Sequence, residues 1–182
     1  MRHLVNGALL GLATVLAAGT ANAQVGLLSN TATVSLSATK ASALTVAINS
    51  GATQTLGALT DNATNNFPSS VNITTAWDLN AGTNVYLVGW FATPASALAS
   101  GGNSIPSSWV KGSVNSGAFN AFSNGPVGGV GVAGGSLTLF NEVLASLSGS
   151  RTDNLDLQID LTGQALVPGT YTGTLNLRAV VQ

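Results

Sequence analysis

The chain predicts an all-β fold, a single β-sandwich of about eight to ten strands. Three observations point there. Short stretches alternate apolar and polar residues with a period of two, the mark of a strand buried on one face; Leu155, Leu157, Ile159 and Leu161 against Asp156, Gln158 and Asp160 form the cleanest. Clusters of Gly, Asn, Ser and Pro separate these stretches at spacings typical of sandwiches. Little in the chain repeats at a helical period, which argues against βαβ units.

The first 23 residues read as an address rather than as part of the fold. Met1-Arg2-His3 is a short basic start, Leu4 to Ala18 is apolar or small, and Ala21-Asn22-Ala23 has the form of a cleavage site. That is the pattern of a secretory signal peptide, and the apolar run is shorter than the ~20 residues a membrane span needs. Cleavage leaves residues 24–182, or 159 of 182 residues, enough for one domain with a real core. The expected location is the periplasm, the outer cell surface or the extracellular space.

Taken in order, Thr31–Ala38 alternates with Ala32, Val34, Leu36 and Ala38 on one face and predicts a strand. Ala43–Asn49 alternates again, with Leu44, Val46 and Ile48 inward. Thr53–Leu59 is a candidate short strand, and Thr60–Ser70, with Asp61, three Asn and Pro68, reads as a loop. Val71–Leu79 is a strand with Val71, Ile73, Trp77 and Leu79 on one face, joined through Asn80–Asn84 to Val85–Ala92 in what reads as a hairpin. The second arm is apolar on both faces, as a central or covered strand would be. Pro94–Ala99 is the best short helix, because proline suits a first turn and Gly101-Gly102 would stop it. Ser108–Val114 and Ala118–Phe122 flank a turn at Asn115–Gly117, and Gly125–Gly135 is a glycine-rich loop. A strand begins at Ser136 and reaches towards Leu147, Ser148–Ser150 ends it, and Leu155–Leu161 follows. Val167-Pro168-Gly169 turns the chain into a last alternating strand, Thr170–Gln182, with Tyr171, Gly173, Leu175, Leu177, Ala179 and Val181 on one face.

Composition narrows the chemistry. Past the leader the chain has no His, Met or Cys, four basic and six acidic residues, and a formal charge of −2. Such sparse charge offers no basic face for nucleic acid and no polybasic cluster for anionic lipid. Without thiols the fold rests on burial and backbone pairing. An outer-membrane barrel is the rival all-β reading, but three Trp, two Tyr and five Phe are few for its aromatic girdles.

The candidate motifs are weak. Gly129-Val130-Gly131-Val132-Ala133-Gly134 matches G-x-G-x-x-G, yet a strand pattern follows where a nucleotide site requires a helix. Asp153, Asp156 and Asp160 are the densest acidic group and the one place to consider calcium. On a strand, Asp156 and Asp160 stand roughly 13 Å apart, too far for paired-carboxylate catalysis, and a solvated strand face is the simpler reading. Asp78, Asn80, Gly82 and Asn84 miss the EF-hand spacing and read as a hairpin loop. No His or Cys supplies a base, a nucleophile or a zinc ligand, and nothing in the sequence sets a Ser beside Lys40 or Lys111. Asn62-Ala63-Thr64 and Asn72-Ile73-Thr74 fit the glycosylation sequon, which carries little weight in a chain of bacterial type. Trp77, Tyr86, Trp90, Phe91 and Trp109 are expected to fill the core or cover a sheet. No catalytic, cofactor-binding or metal site is assigned, and the chain is not read as an enzyme.

Two stretches carry a resemblance. Thr31–Thr39 followed by Leu44-Thr45-Val46 is similar to the opening strands of bacterial spore-coat-U-like and fimbrial subunits, and Val167–Leu175 resembles their closing strand. Together they span about a fifth of the mature chain. The resemblance implies an exported immunoglobulin-like sandwich that lacks one strand and accepts another from a chaperone or a neighbouring subunit, by β-augmentation. The chain departs from those subunits in having no cysteine pair and in ending Ala179-Val180-Val181-Gln182 without an aromatic residue. The expected function is therefore structural or adhesive, with self-association or a periplasmic chaperone as partner through strand pairing at an exposed edge beside Thr31–Ala38 or Thr170–Val181, and Gln24–Asn30 as a short donor. The alternative is a monomeric carbohydrate-binding module using Trp90 or Trp109 as a stacking platform.

Overall fold

In the computed structural model, residues 30–182 are described. The signal peptide and most of Gln24–Asn30 lie outside them. The chain divides into two units, Met1–Thr39 and Lys40–Gln182. In the first, residues 30–39 contain no strand, and Val34 and Leu36 are 81% and 91% exposed. The strand expected over Thr31–Ala38 is thus corrected. Alternation states which face a strand would bury, but a strand also needs an edge to pair with.

Every strand lies in the second unit, and among the described residues there are eleven: β1 Ala43–Ser50, β2 Thr64–Asn66, β3 Val71–Asp78, β4 Asn84–Phe91, β5 Leu98–Ser100, β6 Asn103–Ile105, β7 Val110–Val114, β8 Asn120–Ala121, β9 Ser136–Val143, β10 Ser148–Asp160 and β11 Leu175–Val181. The fold is all-β, as expected. Sheet A has the order β1-β3-β10-β7-β8, with β2 also on β10; sheet B is β11-β4-β9; β5 and β6 form a small hairpin. All pairings are antiparallel. The chain changes sheet between β3 and β4, passes from β4 through the β5–β6 hairpin to β7, and changes again between β8 and β9, β9 and β10, and β10 and β11, as Greek-key sandwiches do.

Alternation explains the core. Val71 and Ile73 from β3, Leu155, Leu157 and Ile159 from β10, Val85, Leu87 and Phe91 from β4, and Leu137 and Phe140 from β9 join one buried cluster. Phe122, fully buried, stands at its centre. Its ring fills the space left where two strands carry no side chain. A Cβ added at Gly89 on β4 would lie 3.1 Å from one edge of that ring, and one at Gly112 on β7 would lie 3.3 Å from the other. Phe91 meets it edge-on, with centroids 5.2 Å apart.

The structure corrects several other expectations. Val71–Leu79 and Val85–Ala92 are not a hairpin: β3 pairs β1 on one edge and β10 on the other, so neither edge is left for β4. The doubly apolar β4 crosses instead to the centre of sheet B. Its outward Val88 is fully buried, and the glycine-rich loop on this side brings Gly128 against Val180 of the neighbouring β11. Ser148–Ser150 does not end a strand but starts β10, which pairs with β3 from Ser148 to Leu155. Thr53–Leu59 forms no strand, whereas the presumed loop Thr60–Ser70 contains β2, placed on β10 by pairs such as Ile159 with Asn65. Asn65 is 8% exposed and its side chain hydrogen-bonds the backbone at Thr60 and Ala63, so a polar residue holds a short strand that hydrophobicity does not mark. The expected helix at Pro94–Ala99 is a single 3₁₀ turn, Pro94–Ser96, leading into β5. The hairpin around Asn115–Gly117 is present as β7 and β8, with Asn115 and Ser116 at positive φ.

Candidate functional site

The three aspartates singled out by sequence take three separate partners. Asp156 accepts a hydrogen bond from the Ser70 hydroxyl. Asp160 accepts from Lys111 Nζ at 2.6 Å and from the Thr162 hydroxyl at 2.6 Å, and the lysine beside it holds its carboxyl well below the usual carboxylate range. Asp153 is not on a solvated face: it is 2% exposed, pairs inward with Ile73, and takes two hydrogen bonds from Arg151 and one from Asn115. Strand parity accounts for the difference, since odd-numbered residues of this part of β10 face the other sheet. Arg151 also reaches Glu142 on β9 at 2.7 Å and lies over the Phe140 ring at 4.1 Å, so one guanidinium ties the two sheets together. Asp153 is the main cause of a guanidinium pKa above its ordinary value. No group of three His, Cys, Asp or Glu able to hold a metal occurs among the described residues.

The G-x-G-x-x-G stretch is a loop between β8 and β9 with no helix after it. Ser136 pins it, because its hydroxyl donates to the Val132 carbonyl at 2.8 Å and accepts from the Val132 N–H at 2.7 Å. Gly131 has φ +107°, and a side chain there would run into Ser136. The glycines therefore serve a tight return of the backbone. Of the aromatic residues, Phe91 is buried, and Trp77 and Trp109 are half-buried against the core. Trp90 alternates with the inward Phe91 and faces away from it.

The feature that sequence reasoning placed only in part is an open side of the sandwich: Thr170–Val181 was expected at an exposed edge, but β1 was not. Strand β1 ends sheet A and β11 ends sheet B, and the two lie against each other. Each has one edge with no strand partner among the described residues. The inward residues there are covered incompletely: Leu44 and Val46 on β1 and Leu175, Leu177 and Ala179 on β11 are half-buried, and Ile48 is 46% exposed. Ile73 and Thr75, their partners on β3, and Leu87 and Phe91, their partners on β4, are almost fully buried. Where the end of β1 comes near the start of β11 lies a cleft with a cavity of about 860 Å³, walled largely by residues 51–61 and 166–174 and including Ile48, Leu56, Leu59, Leu166, Leu175 and Leu177. Ile48, near the end of β1, shares it with Leu175, at the start of β11, so the two strands run in opposite directions past it. The signal in sequence was present but unread: β1 and β11 carry apolar faces as regular as those of inner strands, yet nothing in the chain marks which side lacks a neighbour.

Beside the cleft, the outer face of sheet A carries a band of amides and hydroxyls bonded to one another. Asn49 donates to Asn72 at 2.7 Å and to Thr74 at 2.8 Å, Asn72 donates to Asn154 at 2.7 Å, and Thr74 and Thr152 share a bond of 2.9 Å. The band crosses β1, β3 and β10 without a charged residue. Compared with known proteins, the chain matches no family model, no curated protein and no solved structure.

Proposed function

We propose that this protein is an exported structural subunit of the bacterial surface that assembles by taking an additional β-strand into the cleft between β1 and β11. The observation that carries the reading is the pairing of two free strand edges with an incompletely covered apolar interior. Open edges are a hazard that proteins normally blunt with charge, proline or a cover, and β1 has no charged residue and no proline. An added strand would satisfy the backbone on these edges and bury the exposed apolar faces together. The leader-like start of the chain supports export, and the inventory without His or Cys supports a role other than catalysis.

The test is the particle size of the mature protein by light scattering at tens of micromolar, alongside an Ile48→Lys variant. Ile48 is half exposed at the edge, so the lysine leaves the fold intact by circular dichroism while placing a charge in the cleft. Oligomers in the parent that disappear in the variant are expected. A parent that is monomeric, with no chaperone partner recovered, overturns the proposal. The glycan-binding alternative has less support, because Trp109 packs against the core while Trp90 faces out from sheet B, so they form no shared platform. Tryptophan quenching across a glycan panel separates the two readings.

A further inference from the structure

We infer that the cavity at the end of the sandwich binds a neutral single-chain aliphatic amphiphile, such as a fatty alcohol or a monoacylglycerol, with the chain inside and the head at Asp61. This goes beyond strand addition. Neither Leu44 nor Val46 lines the cavity, which lies under the loops 51–61 and 166–174 rather than along the β1 edge. Its floor is the core itself: Val71, Val110 and Ile159 from sheet A and Phe91 from sheet B reach it, each at most 5% exposed. A volume of about 860 Å³ falls within the roughly 300–1,000 Å³ that hold small organic ligands.

The walls are held in place from outside. Thr172 exchanges backbone hydrogen bonds with Ala99 at 2.9 and 3.0 Å, and Gly169 and Gly173 pass so close to Ser100 and Ala97 that no side chain would fit. Across the cavity, Gly51, at φ +76°, lies against the Ser70 carbonyl. The two loops are tied at one end, where the Leu166 N–H donates to Asp61 Oδ1 and the Asn62 N–H to the Gln164 carbonyl, both at 3.0 Å. Loops fixed in this way leave the space preformed. Water gains little there, because a buried water needs polar partners and the polar side chains turn to their own loops: Gln54 donates to the Gly51 carbonyl and Tyr171 to the Val167 carbonyl, both at 2.9 Å. An apolar chain gains with each methylene it buries. Leucines form much of the wall and no tryptophan lines it, so an alkyl chain suits it better than a stacked ring. Charge selects the head. Asp61 is the one charged residue of the lining, and no cation among the described residues joins it; Lys40, Lys111 and Arg151 are held by carboxylates elsewhere. A carboxylate or phosphate head would meet a like charge and no counter-charge, whereas a hydroxyl can donate to Asp61.

The test uses the full mature chain and the neutral fluorescent probe N-phenyl-1-naphthylamine, displaced by 1-dodecanol or by dodecanoate at neutral pH, both below their aggregation limits. Saturable probe binding is expected, with dodecanol displacing it about tenfold better than dodecanoate. Asp61→Asn should raise the affinity for dodecanoate towards that for dodecanol. Dodecanol at about 100 times its Kd should raise Tm by roughly 5–10 °C. Leu59→Trp fills the cavity from a half-buried loop position and should keep the circular dichroism of the parent while losing the probe; Leu56→Trp replaces it if the first variant does not fold. A parent with no saturable probe signal overturns the inference. So does probe binding that survives both tryptophan variants, which would place the probe on the open strand edge instead. Equal displacement by dodecanoate and dodecanol, unmoved by Asp61→Asn, overturns the assignment of the head. Light scattering on the same samples keeps this result apart from assembly: a monomer that binds dodecanol at the cavity upholds the inference while removing strand addition.

Discussion

Replacing Phe122 by alanine removes the ring on which both sheets close. The side chain is fully buried between Gly89 and Gly112, positions with no side chains to move into the gap. Burial of that size costs about 3–5 kcal/mol when truncated, of which roughly 0.5–1.5 kcal/mol belongs to the edge-on pair with Phe91. For a chain of this length each kcal/mol lowers Tm by roughly 2–4 °C, so a loss of about 4 kcal/mol predicts a fall of roughly 8–16 °C. Thermal unfolding followed by circular dichroism reads it directly. A double-mutant cycle sharpens the argument. Gly89→Ala in the parent places its methyl 3.1 Å from the ring and is expected to cost about 1 kcal/mol through overpacking. In a Phe122→Leu background the contact with the ring is relieved and Leu177 Cδ2 at 3.3 Å is the remaining tight neighbour, so the cost of Gly89→Ala shrinks. A Phe122→Ala variant within about 1 kcal/mol of the parent, or a Gly89→Ala effect independent of residue 122, would refute the claim that this ring fills the space between the glycines.

Two further outcomes follow from the charged groups. Asp153→Ala leaves Arg151 only the half-exposed Glu142 as an ion-pair partner, so a loss of about 3–5 kcal/mol in urea unfolding is expected; a neutral result would mean that the guanidinium finds water instead. Asp160 has a folded-state pKa below its unfolded value, so its contribution is present above the unfolded carboxylate pKa of about 4 and fades as pH falls towards the folded value. The Tm gap between parent and Asp160→Asn should therefore be largest near neutral pH and narrow below about pH 4; a gap that widens with acid contradicts the assignment.

Much of the fold was legible because period two is a strong signal. Leu155, Leu157 and Ile159 are buried as their alternation requires, and β4, apolar on both faces, is central and covered. What failed depended on pairing, which no local pattern contains. The five residues between β3 and β4 have hairpin length, but a loop of that size also crosses between sheets, and the choice is made by β1 and β10 occupying both edges of β3. Asp153 was grouped with a solvated acidic cluster because β10 starts earlier than its turn-like Ser148-Gly149-Ser150 suggests, so a residue read as lying before the strand is in it and faces in. Thr31–Ala38 has the cleanest alternation near the start of the chain and no partner strand among the described residues. The cleft was invisible for a related reason: it is a neighbour that is missing, and sequence records only the residues that are there.

The amide and hydroxyl band on sheet A has a consequence for the environment the molecule tolerates. Ions screen charges, and this face offers none between Asn49 and Asn154. Its side chains hold one another through bonds that dissolved salt does little to weaken. A surface of this kind presents the same lattice in dilute water and in brine, which accords with the exported structural role proposed above.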